Sequence, residues 1–283
     1  MRFQAPAREA VDPACWTRPP LAALLAAYPW LDAADWPEIE WLNRRFAGRC
    51  HTVTGLSLRL VAQTPALLGD GQHYEQRSFV EGRISTRERN WHDLFNALVW
   101  LDHGAIKSAL NARYVAEMAA TAPRQRNRAQ MALTHFDEAG AVVWMDRGVA
   151  IEAWDAHDWR GLFLDHGEDW RRGHIRISVI GHALLEHALL PRAQTVAKCL
   201  VSCGPVPATP AQQDAAECAL ARAISQGELL NDPQALRPLP LAGIPGWFPG
   251  NDRADFFAAE CFRPLRPERQ YPPPWSARDG DME

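Results

Sequence analysis

The chain has 283 residues, 47% of them hydrophobic, which is ample for a buried core in one large domain or two modest ones. Thirty Lys and Arg against 34 Asp and Glu leave a formal net charge of −4, so no general field draws the chain toward nucleic acid or an anionic membrane. The start Met1-Arg2-Phe3-Gln4-Ala5-Pro6 lacks a secretory pattern and no window reaches the roughly 20 apolar residues of a spanning helix, so a cytoplasmic protein without membrane or nucleic-acid partners is expected.

In chain order, Trp16, Trp30, Trp36 and Trp41, each near proline or acidic residues, suggest a helical wrap over residues 1–50. Residues 52–63 partly alternate and read as a strand, Gly69-Asp70-Gly71 breaks the chain, and residues 74–82 read as a helix ended by glycine. Ser85 or Thr86, with Glu88 behind, is the expected cap of the next helix, which is apolar on nearly every side up to His103-Gly104. At 100° per residue, His92, Asn96 and His103 fall within about 40° of one another on that helix, with Asp93 about 60° beyond Asn96. The helix after it, over 105–120, carries Lys107, Asn111 and Arg113.

Arg124, Arg126 and Arg128 come next. The runs 131–136 and 141–144 flank Asp137-Glu138-Ala139-Gly140 and read as a β-hairpin, whose turn accounts for both acidic residues without chemistry. Residues 177–190 read as a second apolar helix closed by Pro191, with His182 and Glu186 on one face and His187 on another. A helix over 211–226 precedes a Pro-rich stretch whose Trp247, Phe248, Phe256, Phe257 and Phe262 should cover apolar surface. Cys15, Cys50, Cys199, Cys203, Cys218 and Cys261 are too scattered for a disulfide framework and read as reduced thiols.

The architecture expected is a mainly helical α+β fold with a small antiparallel sheet, one domain over 1–283. It divides into an N-terminal wrap (1–50), a core (51–230) and a Pro/aromatic C-terminal segment packed on that core (231–283). Burying an unpaired polar group costs a few kcal/mol, so the polar residues of the two apolar helices either line a site or satisfy one another. The candidate catalytic set is His92, Asp93, His182 and Glu186, the histidines as acid/base groups or ligands and the carboxylates as orienters. Arg87, Asn96, Lys107 and Asn111 are the candidate ligand-binding groups.

That set suits a small-molecule-binding protein or enzyme. Two rivals stand beside it: a non-enzymatic interaction protein whose polar residues only fix packing, and a metal-dependent hydrolase in which the imidazoles and carboxylates hold zinc, iron or manganese. The sequence names no cofactor, substrate or oligomeric state. Arg87, Lys107, Arg124 and Arg126 leave an anionic ligand open. A Gly-rich phosphate loop and a Gly-x-Ser-x-Gly elbow are both missing, which argues against P-loop, dinucleotide-binding and α/β-hydrolase chemistry.

Several spaced motifs carry a resemblance. Asn90-Trp91-His92-Asp93-Leu94-Phe95-Asn96-Ala97-Leu98-Val99-Trp100, Lys107, Leu110-Asn111, Leu133-Thr134, Phe136-Asp137-Glu138, Gly181-His182-Ala183-Leu184, Glu186, Pro245-Gly246-Trp247 and Phe262-Arg263-Pro264 are similar to the bacterial family called domain of unknown function 3025. The resemblance covers most of the chain and brings no reaction with it. It implies one cytoplasmic domain in which the two polar helix faces, the acidic turn and the C-terminal motif converge. His187 and His103-Gly104 depart from the family pattern, so neither histidine takes a shared role from it.

Overall fold

The computed structural model describes residues 3–122, 125–190 and 194–277; Arg124 and Pro191 lie outside them. An N-terminal wrap of short helices includes α1 (Leu21–Ala27) and α2 (Ile39–Phe46). It is followed by β1 (Arg59–Ala62), α3 (Pro65–Leu68), α4 (Tyr74–Glu81), β2 (Arg83–Thr86), α5 (Trp91–Asp102), α6 (Gly104–Ala119), α7 (Arg128–Ala139) and β3 (Gly140–Met145). Then come α8 (Ile151–Asp155), a π-helical turn (Gly161–Asp165), α9 (Gly167–Arg172), β4 (Ile175–Val179), α10 (His182–Ala188), β5 (Val196–Cys203), α11 (Pro210–Ser225) and β6 (Arg237–Pro240). The fold is mainly helical α+β, as expected. Among the described residues no helix is long and apolar enough to cross a membrane.

The sheets are mixed rather than purely antiparallel. β1 and β2 pair in parallel, and a second sheet has the order β4-β3-β5-β6, with β3 antiparallel to β4 and parallel to β5. Alternate residues of a strand face opposite sides, and β3 is buried on both. Val142 and Trp144 join a helical core with Phe95, Leu98, Ile106, Phe136 and Leu220. Ala141, Val143 and Met145 join a second core with Trp154, Phe163, Ile244, Phe257 and Phe262, so the C-terminal segment does seal apolar surface. The Trp275 amide donates to the Val201 carbonyl (2.9 Å), which lays the segment along β5 instead of letting it fray from Tyr271.

Three local expectations are corrected. Residues 128–139 form helix α7 and no hairpin: Asn127 and Gln130 make a reciprocal capping box, and Ala129, Ala132, Leu133 and Phe136 repeat at helical spacing into the core. Residues 175–179 form strand β4, because Ile175, Ile177 and Val179 are β-branched and alternate with Arg176 and Ser178; only 182–188 of the expected second apolar helix is helical. The cap of α5 is Asn90, whose side chain accepts from the Asp93 amide (3.1 Å), while Ser85 and Thr86 belong to β2. By contrast α4 ends at Gly82 in the left-handed conformation (φ 65°), and α6 and α11 match expectation to within a residue at each end.

One crossing positions the histidines and carboxylates that the two apolar segments carry. The amides of Ile180 and Gly181 both donate to the Gly140 carbonyl (3.0 and 2.8 Å), so the start of α10 lies directly on the junction of α7 and β3. A Cβ at residue 181 would stand 2.5 Å from the Gly140 nitrogen and 2.6 Å from the Glu138 carbonyl, both backbone atoms that cannot swing aside. Gly181→Ala is therefore expected to cost about 3 kcal/mol in urea unfolding, the upper end of overpacking costs. Gly104→Ala, where an added Cβ meets nothing within 4 Å, is expected to leave stability unchanged or slightly raised.

Candidate functional site

Because α10 packs on both α5 and α7, three side chains from three elements meet. His92, on the first turn of α5, places its Nε2 3.0 Å from Nε2 of His182, the first residue of α10, with the rings edge to face. Glu138, on the last turn of α7, brings Oε2 to 3.8 Å from His92 Nε2 and 3.6 Å from His182 Nε2. The ring nitrogens on the far sides are backed by carboxylates. Glu186 Oε2 lies 3.1 Å from His92 Nδ1, and Asp137 Oδ2 lies 3.8 Å from the buried His182 Nδ1, which also faces the Asp137 main chain. An ionised carboxylate only accepts, so Glu186 holds a proton on His92 Nδ1 and turns the Nε2 lone pair toward His182 and Glu138.

The electrostatics separate the two imidazoles. Burial drives the His182 pKa down to about 3, against the pull of Asp137, so this ring is neutral at physiological pH. Burial also works against charge on His92, but the hydrogen bond to Glu186 and the Glu138 carboxylate outweigh it and hold its pKa above the usual value. Burial raises Glu138. Burial would raise Asp137 as well, but the Lys107 ammonium, which is hydrogen-bonded to it, keeps it low.

A cavity of about 130 Å³ adjoins the cluster, sharing Asp137 and Glu138 as part of its wall and closed by Tyr74, Glu75, Lys107 and Asn111. Asn111 Nδ2 donates to the main-chain oxygen of Glu75 (2.9 Å) and to its carboxylate (2.6 Å). Burial and the nearby Asp137 charge push Glu75 up to about 7, which leaves it able to take or give a proton near neutrality.

Of the residues proposed from sequence as catalytic, His92, His182 and Glu186 come together, while Asp93 does not. Its carboxylate is gripped by Arg87 through Nε (2.9 Å), Nη2 (2.7 Å) and the backbone amide (2.6 Å), so Asp93 and Arg87 form a clip at the start of α5. Lys107 and Asn111 line the cavity. Asn96 donates to the Tyr74 hydroxyl (2.9 Å) and touches the site only through it. His103 pairs with Glu217 on α11 (2.8 Å), away from the cluster.

Reading the residues alone gives Asp137, Glu138 and Glu75 no site role, although the family resemblance implies that the acidic turn converges with the two polar helix faces. The first two are hidden by the hairpin reading; in a helix, Asp137 and Glu138 sit one turn after Leu133 and Thr134 and are carried to the core edge. Glu75 has no signal beyond its place on the first turn of α4.

No curated protein and no solved structure matches the chain. A family model described as "Protein of unknown function (DUF3025)" matches residues 58–266, well over half of the chain, and that span contains His92, Asp137, Glu138, His182 and Glu186. The chain thus belongs to the DUF3025 family.

Proposed function

We propose that His92, His182 and Glu138 hold a divalent transition metal, and that the protein is a metal-dependent hydrolase acting on a small polar molecule bound in the adjoining cavity. The observation that carries this is the convergence of two imidazole Nε2 atoms at 3.0 Å with a carboxylate oxygen beside both. Bonds of about 2.1 Å to one ion place two nitrogens about 3.0–3.4 Å apart for angles between octahedral and tetrahedral, so the pair needs little movement to bind. Glu138 stands a few tenths of an ångström outside that range on a half-exposed side chain, free to close in. Glu186, hydrogen-bonded to His92 Nδ1, makes the carboxylate–histidine arrangement that orients metal ligands, with the Asp137 carboxylate 3.8 Å from His182 Nδ1.

Three protein ligands leave positions open, and an ion there supplies Lewis acidity for hydrolysis. The chain's own groups do the rest. Lys107 holds Asp137 in place, Asn111 orients Glu75, and Glu75 takes or gives a proton to what occupies the cavity. The competing reading is metal-free: a protonated His92 donating through Nε2 to neutral His182, favoured by their opposite pKa shifts.

Titration of the purified, chelator-treated chain with Zn²⁺ or Mn²⁺ separates the two. One equivalent should bind and raise the melting temperature, His182→Gln and Glu138→Gln should abolish binding, and Glu186→Gln should weaken it by about 10- to 100-fold. Glu75→Gln should keep the metal and lose turnover in a screen of ester, amide and phosphoester substrates. Absence of bound metal, with no response of stability to chelator, would leave the imidazolium–imidazole pair.

Metal binding should also release a proton. His92 must give one up from Nε2, and its pKa lies above the ordinary 6.5, so affinity should rise with pH through that value, about tenfold per unit below it. His182, already neutral down to about pH 3, adds nothing to this slope. Isothermal titration in buffers of different ionisation enthalpy reads the proton count.

A further inference from the structure

Most buried or half-buried cations of this fold are matched to a carboxylate. Arg77 pairs with Asp70, Lys107 with Asp137, Arg113 with Glu117 and Arg237 with Asp155. Half-buried Lys198 and Arg269 are not so matched. Lys198 on β5 and Arg263, Arg266 and Arg269 of the C-terminal segment converge on a cleft of about 550 Å³, with Glu260 its single lining carboxylate. Among the described residues neither Lys198 nor Arg266 has an ion pair or a side-chain hydrogen bond. Burial lowers the Lys198 pKa, and the charges of Arg269, which donates to the Gln234 carbonyl, and of Arg266 lower it further.

The walls of this cleft are fixed. His157, in the left-handed region (φ 53°), donates from Nδ1 to the Arg263 carbonyl (3.1 Å) and accepts at Nε2 from the Tyr271 hydroxyl (2.8 Å). Trp159 donates to the same carbonyl (2.8 Å), and the Arg269 guanidinium lies over the Tyr271 ring, 4.7 Å from its centre. The loop carrying the three arginines is thereby pinned at both ends. A left-handed non-glycine residue costs of order 1–3 kcal/mol and persists only where its surroundings hold it.

We propose that this cleft binds a nucleotide-sized organic phosphate, with the phosphate between Lys198, Arg266 and Arg269. Four cations against one carboxylate call for a multivalent anion, and planar guanidinium groups suit phosphate oxygens. The volume lies within the range of small-molecule sites and exceeds what inorganic phosphate fills. The chain's net charge of −4 gives no general pull on a nucleic-acid strand, which favours a small ligand. The cleft takes only His135 from α7, whereas Asp137 and Glu138 face the histidine pair, so this inference stands apart from the metal proposal.

The test is calorimetric titration of the full chain with ADP, AMP, pyrophosphate and inorganic phosphate at low and physiological salt. ADP should bind with a Kd between about 1 μM and 1 mM, at least about tenfold tighter than inorganic phosphate, and more weakly as salt rises. Lys198→Gln and Arg266→Gln should each weaken ADP by about tenfold without lowering the melting temperature, since each relieves repulsion. Arg253→Gln, which breaks only the exposed pair with Asp255, should change nothing. No saturable binding of any of these phosphates, an equal loss in Arg253→Gln, or a single-stranded oligonucleotide binding more tightly than ADP would each overturn the proposal.

Discussion

The start of α10 rests on the end of α7 with no side chain between them, and the candidate site depends on that contact. Two amides, from Ile180 and Gly181, share one carbonyl of Gly140, and Gly181 has backbone where a Cβ would go. This close approach makes His182 the first residue of a helix whose opening turn faces Glu138, and brings α10 against α5 so that His92 can meet it. Any residue larger than glycine would push α10 away from α7 and separate the imidazoles from the carboxylate.

Around that contact the chain has assembled charge that is costly in isolation and tolerable only in company. His182 is buried and neutral, His92 shares its proton with Glu186, and Asp137 is held ionised by Lys107 while standing behind His182. Each group offsets another's burial, while Asn111 Oδ1, on the wall of the adjoining cavity, remains buried without a hydrogen bond. Buried polar atoms left unpaired are uncommon in a pure packing network, which tends to satisfy its members.

Much of this is legible in the sequence, and the failures have physical causes. The polar stripe of His92 and Asn96 on an otherwise apolar helix, and the His182/Glu186 spacing, point to the right two elements. The stripe misleads at Asp93, because angular position on a helix says nothing about a neighbour such as Arg87 reaching across from the segment before it. Asp137 and Glu138 are misread because Asp-Glu-Ala-Gly is equally good as a turn and as the last turn of a helix before a strand. The capping pair Asn127 and Gln130 and the spacing of Ala129, Leu133 and Phe136 are the signals that decide between them. Gly140 reads as part of a turn and Gly181 as an interior residue of a helix. That they touch is a tertiary fact linking elements far apart in the chain, and no local pattern carries it.

The central claim is that two imidazoles and one carboxylate surround a single ion. X-ray absorption at the zinc edge of the zinc-loaded protein tests it most directly. The account predicts a first shell of nitrogen and oxygen at about 2.0–2.2 Å, with the outer-ring scattering of two histidines, falling to one in His182→Gln. A shell containing sulfur, or one with no histidine scattering, would contradict it.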